Sequence, residues 1–270
     1  MKFQLSVIIV NFNGLRFLDD CFESLHQNLS EITYEIIVLD NQSTDQSVAY
    51  IQQNHPEITL IQSSENLGFG KGNNKAVESA QGEFLLLINN DTVVLNPLKP
   101  ALEVLQSNPT IGVVGAKMLD VNKNYIPSNG NFPTARTLFQ FKKLLDLGPE
   151  FKTGNFTKKQ YNVDWLCGSF LMLKTQTFRQ INGFDEDYFM YVEDVDFCKK
   201  IANRNLKRVF LPQISYIHYI GFNANKNPML VKGYKIYVQK HFLGFKKFVV
   251  FAALYVNSIV KNTKLALQTN

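Results

Sequence analysis

The sequence predicts an α/β fold: a mostly parallel, Rossmann-like sheet with helices on both faces. Short β-branched runs alternate with stretches of helical spacing through the first third of the chain. The connections between them are short, which suits parallel crossover units. Polar residues recur at the carboxyl ends of the runs, above all Asn11, Asp40 and Asp91. Open α/β sheets bind their ligands at those ends.

Composition agrees. The 270 residues are enough for one large domain, or one domain plus an appendage. With 45% hydrophobic and 19% charged residues the chain suits a packed globular protein. A net charge of +5 fits an anionic substrate or a membrane surface and is too small to argue for nucleic acid. Cys21, Cys167 and Cys198 are far apart, odd in number and form no CxxC pair, so neither a zinc site nor a disulfide framework is expected. Reduced thiols in the cytoplasm are the plain reading. Met1-Lys2 leads straight towards a strand, with no small-residue cleavage site, so no secretory signal is expected.

In chain order, Leu5 to Val10 reads as a strand and Asn11-Phe12-Asn13-Gly14 as a turn. Leu15 to Leu29 has helical spacing, with Leu18, Phe22 and Leu25 on one stripe. Tyr34 to Leu39 is a second strand, followed by Asp40-Asn41-Gln42-Ser43-Thr44-Asp45. Ser47 to Asn54 is a helix stopped by Pro56. Ile58 to Ile61 is a short strand. Asn66 to Asn74 is a glycine-rich loop opening a helix to about Ala80. Phe84 to Ile88 is an unbroken apolar run, read as a strand buried on both faces, with Asn89, Asn90 and Asp91 at its carboxyl end.

Pro97 to Leu105 is a helix and Ile111 to Gly115 a strand. Asp120 to Lys159 loses periodicity and reads as a long functional or mobile loop. Val163 to Leu173 resumes strand character. Phe178 to Asn182 is a short helix capped by Gly183. Asp185 to Tyr191 is an acidic-aromatic loop, and Glu193 opens a helix to about Asn203. Arg208 to Leu211 is a strand, and Tyr216-Ile217-His218-Tyr219 follows it. After a break at Lys226-Asn227-Pro228, Val231 to His241 is a basic, Tyr-rich helix. Phe248 to Val256 is apolar throughout, flanked by Lys246, Lys247 and Lys261. It is shorter than the roughly 20 residues a spanning helix needs. It reads as a membrane-surface helix or as a helix packed on the preceding domain.

Asp91 after a buried strand suits a hard cation that shares its ligands with substrate phosphates, and equally an Asn-Asn-Asp turn. Asp40 can accept a hydrogen bond from a nucleobase or ribose, or belong to a helix cap. Gly68, Gly70 and Gly72 do not match a dinucleotide fingerprint and follow the third strand, so a dehydrogenase is rejected. They permit close approach of backbone to a ligand, with Asn73 or Asn74 lending an amide, or a tight turn. Glu193, Asp194 and Asp196 at a helix start suit the dipole, or a cleft wall with a general base. His218 is a core residue or a metal ligand better suited to Mn²⁺ than Mg²⁺. Trp165 is core or a stacking platform for a sugar.

Taken in order, these residues resemble the family 2 glycosyltransferases, inverting enzymes of the GT-A fold, and among them the rhamnosyltransferase-like bacterial members. The resemblance runs from about residue 4 to 221. It is carried by Ser6 to Gly14, Val38 to Asp45, Asn66 to Gly70 with Asn73-Asn74, Leu87 to Asp91, and Gly183 to Glu186 through Tyr191 to Asp196. It implies a nucleotide-diphosphate-sugar donor, a divalent cation (Mn²⁺ or Mg²⁺), and a glycan or lipid-linked acceptor. Asp40 corresponds to the base-recognition acid, Asp91 to the last acid of a DxD metal motif and Asp194, in the pair with Glu193, to the catalytic base. His218 falls where some members place a histidine on the metal or diphosphate. The first DxD position is Asn89 here, which leaves one carboxylate at the metal.

By the same resemblance Asn11, Asn13, Asn66, Gly68, Gly70, Asn73, Asn89 and Asn90 are expected around the donor, and Trp165 and Gly168 around the acceptor. Residues 1–221 would be the catalytic domain, with a donor half over about 1–115 and an acceptor and base half over 116–221. Residues 222–270 would form a helical appendage. The implied location is cytoplasmic, peripheral on the inner face of the plasma membrane. An inert nucleotide-sugar-binding scaffold is the other class; intact Asp91, Asp194 and His218 favour transfer.

Overall fold

The computed structural model describes residues 3–219 and 227–268. The expected domain boundary near 221 and the break at Lys226 lie outside the described residues.

The first part of the chain follows the predicted order: β1 (Leu5–Asn11), α1 (Leu15–Asn28), β2 (Tyr34–Asp40), α2 (Ser47–Asn54), β3 (Thr59–Gln62), α3 (Gly68–Val77) and β4 (Phe84–Asn89). Next come β5 (Thr92–Val94), α4 (Lys99–Ser107) and β6 (Ile111–Leu119). The main sheet has the order β3-β2-β1-β4, in which every pairing is parallel. Side chains alternate across these strands. Phe84, Leu86 and Ile88 enter one core with Leu18, Phe22 and Leu25 of α1, while Leu85 and Leu87 enter the other with Ala76 and Val77 of α3. This is why β4 reads as an unbroken apolar run. Each such buried Leu contributes roughly 1.5–3 kcal/mol.

Beyond β4 the sheet is mixed, where a mostly parallel one was expected. The remaining elements are β7 (Tyr125–Ile126), β8 (Asn129–Gly130), α5 (Ala135–Phe139), a 3-10 turn at Phe141–Leu145, α6 (Pro149–Thr153), β9 (Tyr161–Asn162), β10 (Trp165–Leu166), β11 (Phe170–Lys174), α7 (Thr175–Gln180), α8 (Glu193–Ala202), β12 (Lys207–His218), α9 (Asn227–His241) and α10 (Gly244–Gln268). β11 lies antiparallel between β4 and β6, and β12 pairs parallel with β6 and antiparallel with β5.

Several local expectations change. The run Val163 to Leu173 is not one strand: Cys167-Gly168-Ser169 breaks it into β10 and β11, because Gly168 turns the chain beneath Phe69 and Asp194. Residues 120–159 are built from short elements around Phe151, Phe156 and Tyr161, which pack edge to face. The strand predicted at 208–211 runs on to His218 as β12, whose register shifts between Leu211 and Ser215. Pro212, which has no N–H to donate, lies in that shift.

The glycine-rich segment is helical from Gly68 rather than a loop. A Cβ on Gly68 would sit 2.2 Å from the Phe189 carbonyl oxygen, one on Gly70 3.0 Å from Phe184 Cβ, and one on Gly72 3.1 Å from Val10. These glycines let α3 pack tightly against β1 and the loop at 184–189.

The C-terminal helices fold back onto the body. Tyr234, Tyr237 and Val238 of α9 join the core that holds Phe197 of α8. Val250 and Leu254 of α10 are buried, and Asn257 Nδ2 donates to the Phe139 carbonyl at 2.6 Å. The other face of the α9–α10 corner leaves Leu243, Phe245 and Phe248 exposed at 83, 79 and 69%. Among the described residues no helix is long and apolar enough to cross a membrane.

Candidate active site

The site is assembled at the carboxyl ends of β1, β2 and β4. Asn90 Nδ2 donates to Asn11 Oδ1 at 2.7 Å, and Asn11 Nδ2 donates to Asp40 Oδ1 at 3.0 Å. This relay ties three strand ends together. Gly14 makes room for it, since a Cβ there would meet Asn90 Nδ2 at 2.0 Å. The other Asp40 oxygen accepts the Ser43 N–H at 3.0 Å. Asn13, at φ 51, turns its Oδ1 onto the Thr44 N–H at 2.7 Å. Asn66 Oδ1 accepts from Asn41 Nδ2 at 2.9 Å and from the Gly68 N–H at 2.9 Å.

After Asn90 the chain reverses into β5, which pairs with β12 in a register that puts His218 opposite Thr92. That pairing brings His218 to Asp91, with Nε2 3.1 Å from Asp91 Oδ1 and 3.3 Å from Asn89 Nδ2. The Tyr219 N–H donates to the Asp91 carbonyl at 3.0 Å and fixes the turn. Asn89 Oδ1 is buried and has no hydrogen-bond partner among the described residues. A carboxylate, an imidazole and the Asn89 amide therefore meet at the end of β4.

Asp91, Asn89 and His218 line a cavity of about 390 Å³. Asn66, Gly68, Asn90, Trp165, Gly168, Glu193 and Asp194 line it too. Asp194 sits in the first turn of α8. Its Oδ2 accepts the Gly168 N–H at 3.1 Å and its Oδ1 the Val195 N–H at 2.8 Å. Burial raises the Asp194 carboxyl above the ordinary aspartate range, against the lowering by these two N–H groups. Burial, then the adjacent Asp194 charge, raises Glu193 well above its usual value. Glu193 Oε2 is buried without a partner among the described residues. Of the pair, Glu193 is pushed further toward its protonated form, while two backbone donors favour the charged form of Asp194.

The turn that aims α8 is strained. Tyr191 and Val192 both have positive φ, 69 and 75. A β-branched residue in that region is an outlier. Gly233 of α9 backs the turn, because a Cβ there would lie 2.6 Å from the Tyr191 carbonyl oxygen and 2.8 Å from Val192.

Not every expected residue reaches the cavity. Gly70 faces Phe184, and Asn73 is buried with its Nδ2 on the Phe69 carbonyl at 2.9 Å. Asn74 clasps both polar groups of the Phe184 backbone. Asn11 and Asp40 are buried and Asn13 is exposed, and none of the three is among the residues lining the cavity. Trp165 lines the cavity while its Nε1 donates to the Asn131 carbonyl at 3.0 Å, so it is held rigidly.

Other lining residues carry no sequence signal: Met118, Cys167, Ser169, Leu230 and Tyr234. Cys167 is no nucleophile, since burial and then Asp194 push its thiol up to about 11. Ser169 Oγ bonds the Tyr216 hydroxyl at 2.7 Å across the floor. Leu230 and Tyr234 reach the cavity only because α9 folds back.

The sequence of residues 6–178 matches the model of glycosyl transferase family 2, which is more than half of the chain. This protein is a family 2 glycosyltransferase. A second model, the N-terminal domain of galactosyltransferase, matches residues 151–222. The glycosyltransferase is 25% identical over 245 residues to the N-acetylglucosaminyl-diphospho-decaprenol L-rhamnosyltransferase of Mycobacterium tuberculosis, covering 83% of this chain and 78% of that one. It is 27% identical to the rhamnosyltransferase WbbL of Escherichia coli K12, covering 79 and 82%. The mannosyltransferase PcManGT of Pyrobaculum calidifontis, solved with GDP-Man and Mn²⁺, matches with a TM-score of 0.63 at 16% identity, covering 98% of this chain and 76% of that one. The fold is GT-A, as the resemblance implied.

Proposed function

We propose that this glycosyltransferase is a metal-dependent inverting enzyme of cell-envelope polysaccharide synthesis. It moves a hexose from a nucleotide-diphosphate donor to a hydroxyl of a glycan or lipid-linked acceptor. The names of the two rhamnosyltransferase relatives make rhamnose the first sugar to test, and one of them names a diphospho-decaprenol acceptor. The observation that carries the reading is that Asp194 and the Asp91–His218 pair open onto one cavity.

A hard or borderline divalent cation fits the donor set at the end of β4: Asp91 Oδ1, His218 Nε2 and the orphaned Asn89 Oδ1. When bound, such an ion offsets charge on a leaving diphosphate. The mannosyltransferase and a GalNAc transferase of like fold were solved with Mn²⁺. The chain's own groups do the rest. Asp194 removes the proton of the acceptor hydroxyl as it attacks the anomeric carbon from the face opposite the diphosphate. Glu193, holding its proton, donates a hydrogen bond into the cavity and keeps a second negative charge from forming beside the base. Trp165 gives the acceptor sugar a fixed apolar face. Asp40 receives the nucleobase once a ligand edge replaces the Asn11 amide.

In this reading residues 1–115 hold the donor and 116–221 supply the acceptor wall and the base. Leu243, Phe245 and Phe248, with Lys246 and Lys247 beside them, suit a peripheral contact with the inner face of the plasma membrane. That would bring a lipid-linked acceptor to the α9 side of the cavity.

Nucleotide sugars offered with Mn²⁺ while the melting temperature is followed will identify the donor, because a ligand of the native state raises it by mass action. Transfer should cease on chelation and return with Mn²⁺ or Mg²⁺, with an anomeric configuration in the product opposite to the donor's. Full activity after chelation removes the cation from this reading, and retention removes the single displacement.

A further inference from the structure

A second cluster of metal-ligating side chains lies at the other rim of the sheet. α1 runs back from the carboxyl ends of the strands, so its last turn, with His26, ends beside Tyr34 at the start of β2. α2 returns the same way and leaves His55 as its C-cap, with Glu57 in the turn before β3. The transfer cavity is at the opposite strand ends.

Each imidazole is held by a tyrosine. His26 Nδ1 lies 2.6 Å from the Tyr34 hydroxyl and His55 Nε2 3.4 Å from the Tyr50 hydroxyl. Tyr50 gives its own proton to Asp19, so it accepts from His55 Nε2–H and leaves Nδ1 with a free lone pair. Phe22 packs edge-on against the His55 ring at 4.9 Å. The two remaining nitrogens turn to one oxygen: Glu57 Oε1 is 3.9 Å from His26 Nε2 and 3.5 Å from His55 Nδ1. All three ligand atoms lie within 4.8 Å of one another. These separations are long for hydrogen bonds. The two distances to Glu57 Oε1 sit near the ~3.4 Å that separates two ligands each about 2.1 Å from a tetrahedral zinc ion.

We propose that His26, His55 and Glu57 form a binding site for a borderline transition-metal cation, zinc in the first instance, with a fourth position open to water. Two imidazoles and one carboxylate suit zinc better than Mg²⁺. The tyrosines do what outer partners of metal-bound histidines do, fixing the tautomer and the ring plane. A bound ion would clip the end of α1 to the α2–β3 turn.

The test uses the full chain, stripped with chelator and desalted. Zinc chloride is titrated while the melting temperature is followed, and Co²⁺ is added separately for its visible absorption. Expected are one ion at this site per chain, a melting temperature that rises with free zinc, and a tetrahedral cobalt spectrum. His26→Gln and Glu57→Gln, at side chains 39 and 56% exposed, should fold and each lose at least tenfold in affinity. Tyr34→Phe, which removes only the outer hydroxyl, should lose roughly 10–100-fold. Asp91→Asn should leave the zinc response intact. No melting response in the wild type, or one that survives both His26→Gln and Glu57→Gln, overturns the proposal. A response lost in Asp91→Asn instead places the ion at the transfer site and overturns it as well.

Discussion

Replacing Asp194 by Asn separates the base from everything else the residue does. The side chain keeps its shape, and one amide oxygen can still accept either the Gly168 or the Val195 N–H. The other N–H loses its partner, which costs the fold about 1 kcal/mol. Removing a charge that burial opposes offsets part of that loss. Folding should therefore change little. Catalysis should change much more, because general-base assistance is worth about 10²–10⁴-fold, or roughly 2.7–5.4 kcal/mol of barrier at 1.36 kcal/mol per tenfold. The assay is initial-rate sugar transfer at saturating donor, beside donor binding by melting temperature. The expected result is unchanged donor binding and a turnover at least a hundredfold lower. In the wild type the acid limb of kcat should sit above the ordinary aspartate range, since activity is lost as Asp194 protonates. Near-wild-type turnover in Asp194→Asn would refute the assignment, and with it the division of protons between Glu193 and Asp194.

Four other outcomes are open to measurement. Burial, and then the Asp194 charge, raises the Glu193 carboxyl well above the ordinary glutamate range, so the folded state binds the extra proton and stability should fall as pH rises above that range; Glu193→Gln should flatten that slope in melting curves taken across it. Gly233→Ala places a Cβ 2.6 Å from the Tyr191 oxygen and should lower kcat more than it changes donor affinity; an unchanged kcat would free the strained turn from any part in aiming Asp194. Asn89→Asp should tighten Mn²⁺ binding in the absence of donor, read by calorimetry, because it adds a carboxylate beside Asp91 and His218. Phe245→Ser with Phe248→Ser should abolish flotation with anionic vesicles and leave transfer to a water-soluble acceptor intact; unchanged flotation would end the membrane reading.

How far the site was legible depends on where its residues lie along the chain. The strand ends were readable because β1, β2 and β4 are buried on both faces, and an apolar run that stops at Asn11, Asp40 or Asp91 marks its own carboxyl end. The acid pair was readable because three acids in one helical turn are conspicuous. The glycines were ambiguous. A glycine freed for a ligand and one pressed against Phe189 or Phe184 look alike in sequence, and only the packing of α3 against the loop at 184–189 separates them. The break at Gly168 was hidden because apolar residues continue on both sides of it.

Local patterning alone determined the sheet's first half, the helices on its faces and the acids at its rim, because burial on both faces and helical spacing are written in neighbouring residues. Only the tertiary structure decided that β5 pairs with β12 and so joins His218 to Asp91. The same holds for α9, which closes one wall of the cavity with Leu230 and Tyr234. It holds too for the two histidines on successive helices that turn to Glu57. Each of these is a contact between segments distant in sequence or carried on separate elements, set by register and helix packing, for which no short stretch of chain holds the information.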